Sequence, residues 1–362
     1  MTENGETGKT GTARTPDDQQ AHAPAHEGID RRTEQSFVRR AVSRLAHLVS
    51  RTWYNPIVLK EIRGRMRGWR ATAVLTVHLV VLSCFASLIY FTVVESAQST
   101  GRGAVGAGVQ PAVAGQTLFY SSYMLLLTLV VFLSPAFTAG TISGERERKT
   151  LDLLITTLLP TRSLVLGKLT SALAYIVLLI LAALPVHSLA LMFGGIILSE
   201  VIIGTLILLV TALIAGSIGI FVSSIMKSSI ASTVLTYATI LLTAMGLPIV
   251  LFILLSFSGF VVNPSATSGL LVNNLNWVWQ AVLIYVLGFL ICTNPFATAV
   301  ATKLLEQEKN SLFYFTTQVS DRSSVPHTLP LISPWIVYVT LYLAVSALLI
   351  TLSILILRHK RG

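Results

Sequence analysis

The chain has 362 residues, 53% of them hydrophobic and only 12% charged, with a formal net charge of +10. Soluble domains carry about twice that charged fraction, so the composition excludes a soluble globular protein and points to one embedded in a membrane. The two cysteines, Cys84 and Cys292, both lie in apolar runs and form neither a disulfide framework nor a metal site.

Residues 1–35 are polar, rich in Thr, Gly, Asp, Gln and His, and are expected to be disordered. They lack the apolar run of a secretory signal. The stretch GETGKTG at 5–11 imitates a phosphate-binding loop, but the position that needs the first glycine is Glu3, and no strand precedes it to hold the backbone amides.

The positive charge is concentrated next. Residues 31–70 hold eleven Lys or Arg against Glu34 and Glu61. Beside a first membrane span such a block is a topology signal, so it is expected in the cytoplasm against anionic lipid headgroups, and no nucleic-acid partner is inferred. Residues 36–54 fit one amphipathic helix. A second starts with Asn55 as cap and Pro56 at the first helical position. It carries Val58, Ile62, Met66 and Trp69 on one stripe and Lys60, Arg63, Arg67 and Arg70 on another, with Glu61 between. This pattern suits amphipathic helices over 36–70, the second lying in the headgroup plane; the alternative for it is a solvated basic helix, which would leave Met66 and Trp69 exposed.

Six membrane spans follow, at about 71–94, 117–139, 164–192, 201–226, 230–257 and 335–357. Each has the roughly 20 apolar residues that a bilayer requires. Pro135, Pro185 and Pro248 lie inside three of them, which membrane helices tolerate when neighbours satisfy the freed backbone groups.

Between the second and third spans the charge density jumps. Glu145, Arg146, Glu147, Arg148, Lys149 and Asp152 fall within eight residues. Ser143 is placed to cap a helix here, with Glu145 and Glu147 in its first turn. Glu145–Lys149 and Arg148–Asp152 are spaced as i,i+4 pairs. Leu151, Leu154, Ile155 and Leu158 form an apolar edge, and Pro160 ends the segment. A charged helix with one greasy side, held at the membrane by two spans, is built to dock on a partner.

The fourth span carries Ala212, Ala215, Gly216 and Gly219 at small-x-x-x-small spacing, which allows close helix contact either within the chain or between subunits. The fifth carries Ser232, Thr236, Thr239 and Thr243 on one face. Such hydroxyls bond their own i−4 carbonyls and need no function; alternatively they line a transport path. Residues 277–301 either cross the membrane or enter from outside and turn back at Asn294-Pro295. Crossing would put the tail 358–362, RHKRG, outside, against the positive-inside bias, so the re-entrant reading with both termini cytoplasmic is preferred.

The stretches NPIVLKEIRGRMRG (55–68) and GTISGERERKTLDLLITTLLPTRSLVLGK (140–168) resemble the membrane subunits of type-2 ABC exporters. The likeness extends in layout over about 52–357. It implies an all-α integral membrane protein of six transmembrane helices with an N-terminal elbow helix (Asn55, Pro56, Lys60, Glu61, Arg63, Arg67), a cytoplasmic coupling helix (the island above) and an outer re-entrant element before the last span, where Asn294-Pro295-Phe296 is similar to an NP motif of the family. It also implies a non-catalytic plasma-membrane permease, paired with a second permease subunit, that binds a separate ATPase on its coupling helix. ATP and magnesium belong to that partner; no cofactor, metal or catalytic residue is expected in this chain. The long polar tail departs from the family pattern.

The main rival is a secondary transporter or channel without an ATPase partner. Such proteins keep ionisable groups at mid-membrane, whereas here the intramembrane candidates are His78 and His187, and Glu95 and Glu200 sit at the outer span ends. A membrane enzyme is disfavoured because no H-E-x-x-H, paired carboxylates or G-x-S-x-G is present.

Overall fold

The computed structural model describes residues 69–101, 111–151, 160–246, 248–249, 253, 277–309, 312–320 and 326–359, all within one compact unit, Tyr54–Gly362. The tail 1–35, the amphipathic segments 36–68 with Asn55, Pro56, Lys60, Glu61, Arg63 and Arg67, and Asp152, Leu154, Ile155 and Leu158 lie outside the described residues.

The protein is mostly helical. In chain order the helices are α1 (Trp69–Gly101), α2 (Pro111–Thr138), α3 (Ser143–Glu147), α4 (Thr161–Ala182), α5 (Leu184–Phe193), α6 (Leu198–Ile225), α7 (Ser229–Leu241) continued by a π-helical turn (Leu242–Gly246), α8 (Trp277–Cys292), α9 (Pro295–Lys309) and α10 (Pro334–His359). Six helical stretches are long and apolar enough to cross a membrane, in the expected places.

The centre is α6. Helices α2, α4, α7 and α10 all pack against it. It can serve several neighbours because small residues lie on more than one of its sides, so backbones approach closely. The core between α2, α4 and α6 joins Leu126, Leu127, Ile176, Ile180 and Leu208. Apolar contact gains little over lipid inside a bilayer, so polar bonds that fix helix register count for more there. Ser134 donates to the Ala212 carbonyl at 2.8 Å, and the Thr211 and Tyr338 hydroxyls meet at 2.7 Å, tying α2 and α10 to α6.

The third span is interrupted. The chain turns at Ala183 and restarts as α5 with Pro185 in its first turn, because proline lacks the amide that would continue the ladder. A sharp turn at Gly194 and Gly195, with φ of 81° and 79°, leads into α6; only glycine adopts that backbone without strain.

The π-helical turn at Leu242–Gly246 misaligns the helix ladder and frees carbonyls. Asn294 meets them: its side-chain nitrogen donates to the carbonyls of Thr243 (3.2 Å) and Ala244 (2.6 Å), while its oxygen accepts from the Ala297 amide (2.9 Å) and caps α9. The break between α8 and α9 therefore sits at Asn294-Pro295, as the sequence indicates.

A β-hairpin follows that the sequence reading did not anticipate. Strands β1 (Tyr314–Ser320) and β2 (Pro326–Ile332) pair antiparallel in the register Tyr314↔Ile332 to Ser320↔Pro326. Phe315 and Leu331 face each other on its half-buried side. The hairpin is fastened by Tyr285, whose hydroxyl donates to the Pro330 carbonyl, and by Trp335, whose indole donates to the Leu312 carbonyl. The aromatic and β-branched run YFTTQVS, followed by polar residues and a proline, carried the strand signal.

Candidate functional site

The charged island sits where the ends of α2, α4, α6, α7 and α10 come together. Ser143, Glu145, Arg146 and Glu147 reach other helix ends. Helix termini leave backbone groups without partners, and the island supplies them. Ser223 of α6 accepts from the amides of Ile142 and Ser143 at 3.0 and 2.9 Å, capping α3 from another helix. Arg146 donates to the carbonyls of Ser224 (2.9 Å) and Met226 (2.5 Å), closing the C-terminus of α6. The Glu147 carboxylate accepts from the Ser229 amide at 2.9 Å, capping α7. Each charge has the sign that the helix dipole favours at that end. Glu145 pairs with Lys168 of α4 at 2.7 Å, and Lys168 also donates to the Thr141 carbonyl. The island thus binds five segments into one hub.

Several sequence expectations change here. Ser143 does not cap the helix; it is buried and bonded to Ser223. Glu145 pairs with Lys168 in place of Lys149. The helix that starts at Ser143 is broken: it ends after five residues, with Lys149 at a φ of 55°, and Leu151 is helical again. Lys149 N bonds Arg146 O and Thr150 N bonds Glu145 O, the pairing of a Schellman stop, with lysine where glycine is usual. Leu151, expected as an anchor for a partner, is 4% exposed and packs against Ile142, Leu164, Leu169, Ile220 and Leu357 of its own chain. Among the described residues of the island, Glu147 and the turn Arg148-Lys149-Thr150 are exposed.

The hydroxyl stripe of the fifth span divides. Ser232 and Thr236 are fully buried, Ser232 donating to the Ala139 carbonyl and Thr236 to Ser232. They pack inside the chain and line no open path. Thr239 and Thr243, further along, bond back to Leu235 and Thr239 and lie nearer the surface. The small residues of the fourth span are also internal: Gly219 lies against Thr138, and Gly216 against Leu169 and Ser134. His78 bonds the Leu179 carbonyl at 3.2 Å, and His187 packs edge-on against Phe119, so both are built into helix packing.

A second polar cluster lies at the opposite end of the bundle, and the sequence reading missed it. The early turns of α2 and α6 meet the later turns of α9 around a cavity of about 30 Å³. Tyr120 and Tyr123 come from α2, Glu200 from α6, and Thr302, Lys303 and Glu306 from α9. The Lys303 ammonium stands 3.7 Å over the Tyr120 ring. Burial, assisted by the Glu200 carboxylate, pushes the Glu306 carboxyl up to about 7. Burial also lowers Lys303, with Glu200 opposing the shift. In the sequence these residues are scattered single charges on three segments, and the one local hint was that α9 is too polar to be buried whole.

No curated protein matches the chain. A family model described as ABC-2 family transporter protein matches residues 55–359, which takes in every described element. Its members are the generally non-catalytic membrane components of ABC transporters. With six apolar helices around one hub, the chain is a multi-pass membrane protein and belongs to the ABC-2 family of transporter proteins.

Proposed function

We propose that this permease is half of an exporter driven by a separate ATP-binding subunit, which docks at the island end of the bundle. The carrying observation is the outward turn Arg148-Lys149-Thr150, the exposed tip of a hub whose inner side is bonded to the ends of α4, α6 and α7. Force applied at that tip reaches several spans at once, which is what coupling needs. A second copy, or a related permease, would complete the transport path. Because Leu151 is in the core, the test falls on the charges. The Arg148→Glu, Lys149→Glu variant is expected to insert and purify normally but to lose at least tenfold of the ATP-binding subunit that co-purifies with the tagged full chain, scored by mass spectrometry and ATP hydrolysis; electrostatic complementarity of this kind sets partner choice. Undiminished recovery would overturn the docking site.

The island end is assigned to the cytoplasm and the hairpin end to the outside. Among the described elements, Arg146, Arg148, Lys149, Arg162, Lys168, Lys227 and Arg358 gather at the island end, against Lys303 and Lys309 at the other. That asymmetry supports cytoplasmic termini. Helix α8 has 16 residues, about 24 Å of helix against a hydrocarbon core of about 30 Å. Its outer part bonds the hairpin through Tyr285, and α9 runs back from Asn294 to the hairpin. Both limbs end on one side, which favours re-entry over a seventh crossing. In a Cys84→Ala, Cys292→Ala background, a cysteine substituted at Ser311 is expected to react with an impermeant maleimide applied outside intact cells. Reaction only after permeabilisation would place that loop inside.

A further inference from the structure

Eight buried side-chain polar atoms have no hydrogen-bond partner among the described residues, and four of them meet in the cavity between α2, α6 and α9: Tyr123 Oη, Glu200 Oε2, Thr302 Oγ1 and Glu306 Oε1. Tyr123 is 3% exposed and Thr302 8% exposed, so neither is served by bulk water. Buried polar groups are normally satisfied, and an unpaired one is costly. Four oxygens converging on one small space call for a ligand that accepts lone pairs from all of them.

We propose that this chamber is a binding site for one monovalent metal cation, sodium or potassium, ligated by the Glu200 and Glu306 carboxylates and the Tyr123 and Thr302 hydroxyls. Charge selects the ligand's valence. A cation bound between Glu200 and Glu306 favours the ionised form of both; two carboxylates against the one ammonium of Lys303 then leave a single negative charge, and a single positive charge neutralises it. Calcium or magnesium would leave the chamber with a net positive charge, and their six or more oxygens, several of them waters for magnesium, exceed what so small a space holds; no group of three His, Cys, Asp or Glu gathers among the described residues. Size excludes an organic amine: a cavity of about 30 Å³ holds an ion and at most a water. Lys303 does not fill the role, because its ammonium is held over the Tyr120 ring. The site also needs Gly204. A Cβ there would stand 3.0 Å from the Tyr123 ring and push that hydroxyl out of line. A bound ion would join three elements at the outer end of the bundle, so its occupancy would stiffen that end.

The test uses the full chain in nanodiscs at fixed pH and ionic strength. Sodium or potassium chloride replaces choline chloride stepwise while the unfolding midpoint is followed. The expected result is a saturable rise of the midpoint with the metal cation. The rise should be lost in Glu306→Gln and need about tenfold more cation in Thr302→Val, as for one lost oxygen ligand, while Lys227→Gln, at the far end, responds as the parent does. Should Glu306→Gln fail to fold, equilibrium binding of a sodium or potassium radiotracer to the parent chain decides the matter, with saturation at one ion per chain expected. Equal midpoints in choline and metal cation together with no saturable tracer binding would overturn the proposal and leave a water-filled chamber.

Discussion

Gly219→Ala is expected to be among the most damaging single-methyl additions in this protein. A Cβ at 219 would stand 2.9 Å from Thr138 Cβ and 3.2 Å from the Ala139 amide nitrogen, and closer still to Thr138 Oγ1. The neighbour has no room to yield. Thr138 is fully buried and donates to the Ser134 carbonyl at 2.9 Å, and Ala139 presents backbone. Helices α2 and α6 must therefore separate at the turn just before the island. Overpacking of this kind costs about 1–3 kcal/mol, and contact with backbone puts the loss at the upper end. The measurement is thermal unfolding in detergent, with monodispersity on size exclusion. Two controls make the cause specific. Gly288→Ala, with nothing within 4 Å of its added Cβ, should be neutral or slightly stabilising by helix propensity. Adding Thr138→Ala to Gly219→Ala should recover part of the loss by removing Oγ1, while the contacts with the Cβ at 138 and the Ala139 amide remain. Equal damage from both glycine changes would show that the effect is not packing against Thr138.

Lys168→Met is expected to lower stability by roughly 3 kcal/mol, the low end for breaking a buried ion pair. The loss is moderated because the Glu145 side chain is 26% exposed, against 6% for Lys168, so water screens part of the stranded carboxylate. The hub fails along with the pair: Thr141 loses a donor to its carbonyl, and Glu145 no longer fixes α3 against α4. Adding Glu145→Leu should return at least half of the stability, because an apolar pair of similar volume avoids the desolvation that the charges incur. The double-mutant cycle is read from unfolding midpoints. Additive losses would mean that Lys168 and Glu145 act independently.

Together these two predictions explain a charged island in an oily chain. Its density was plain in the sequence, but its purpose was not. Glu145, Arg146 and Glu147 read there as a docking face because spacing along one segment gives no sign of what lies opposite. In the folded chain they meet Lys168, the end of α6 and the start of α7, none of them within an adjacent turn. Leu151 shows the same limit. An apolar residue is equally suited to a partner's groove or to the chain's own core, and for Leu151 the presence of Leu357 and Ile220 decided for the core.

The hydroxyl stripe was a correct reading of helical period and an incomplete reading of environment. Ser232 and Thr236 share a face with Thr239 and Thr243, but the first two are buried, Ser232 bonding the end of α2, while the last two lie nearer the surface, so burial changes partway along one stripe. The hairpin went unassigned because an integral membrane composition drew attention to helices, although YFTTQVS alternates as a strand does. Apart from the polarity of α9 the chamber was not legible, since Glu200, Lys303 and Glu306 are ordinary charges at segment ends until three helices bring them together.

By itself the sequence determined that this chain is a multi-pass membrane protein, where the six helices long and apolar enough to cross lie, and that a break falls at Asn294-Pro295. Those properties are sums over contiguous residues: hydropathy over about 20 positions, charge beside a span, and the backbone limits of proline. Only the tertiary structure decided which polar group faces which. An ion pair, a helix cap or a ligand cavity depends on the distance between atoms on different helices, and that distance is set by how small residues such as Gly219 let the helices pack.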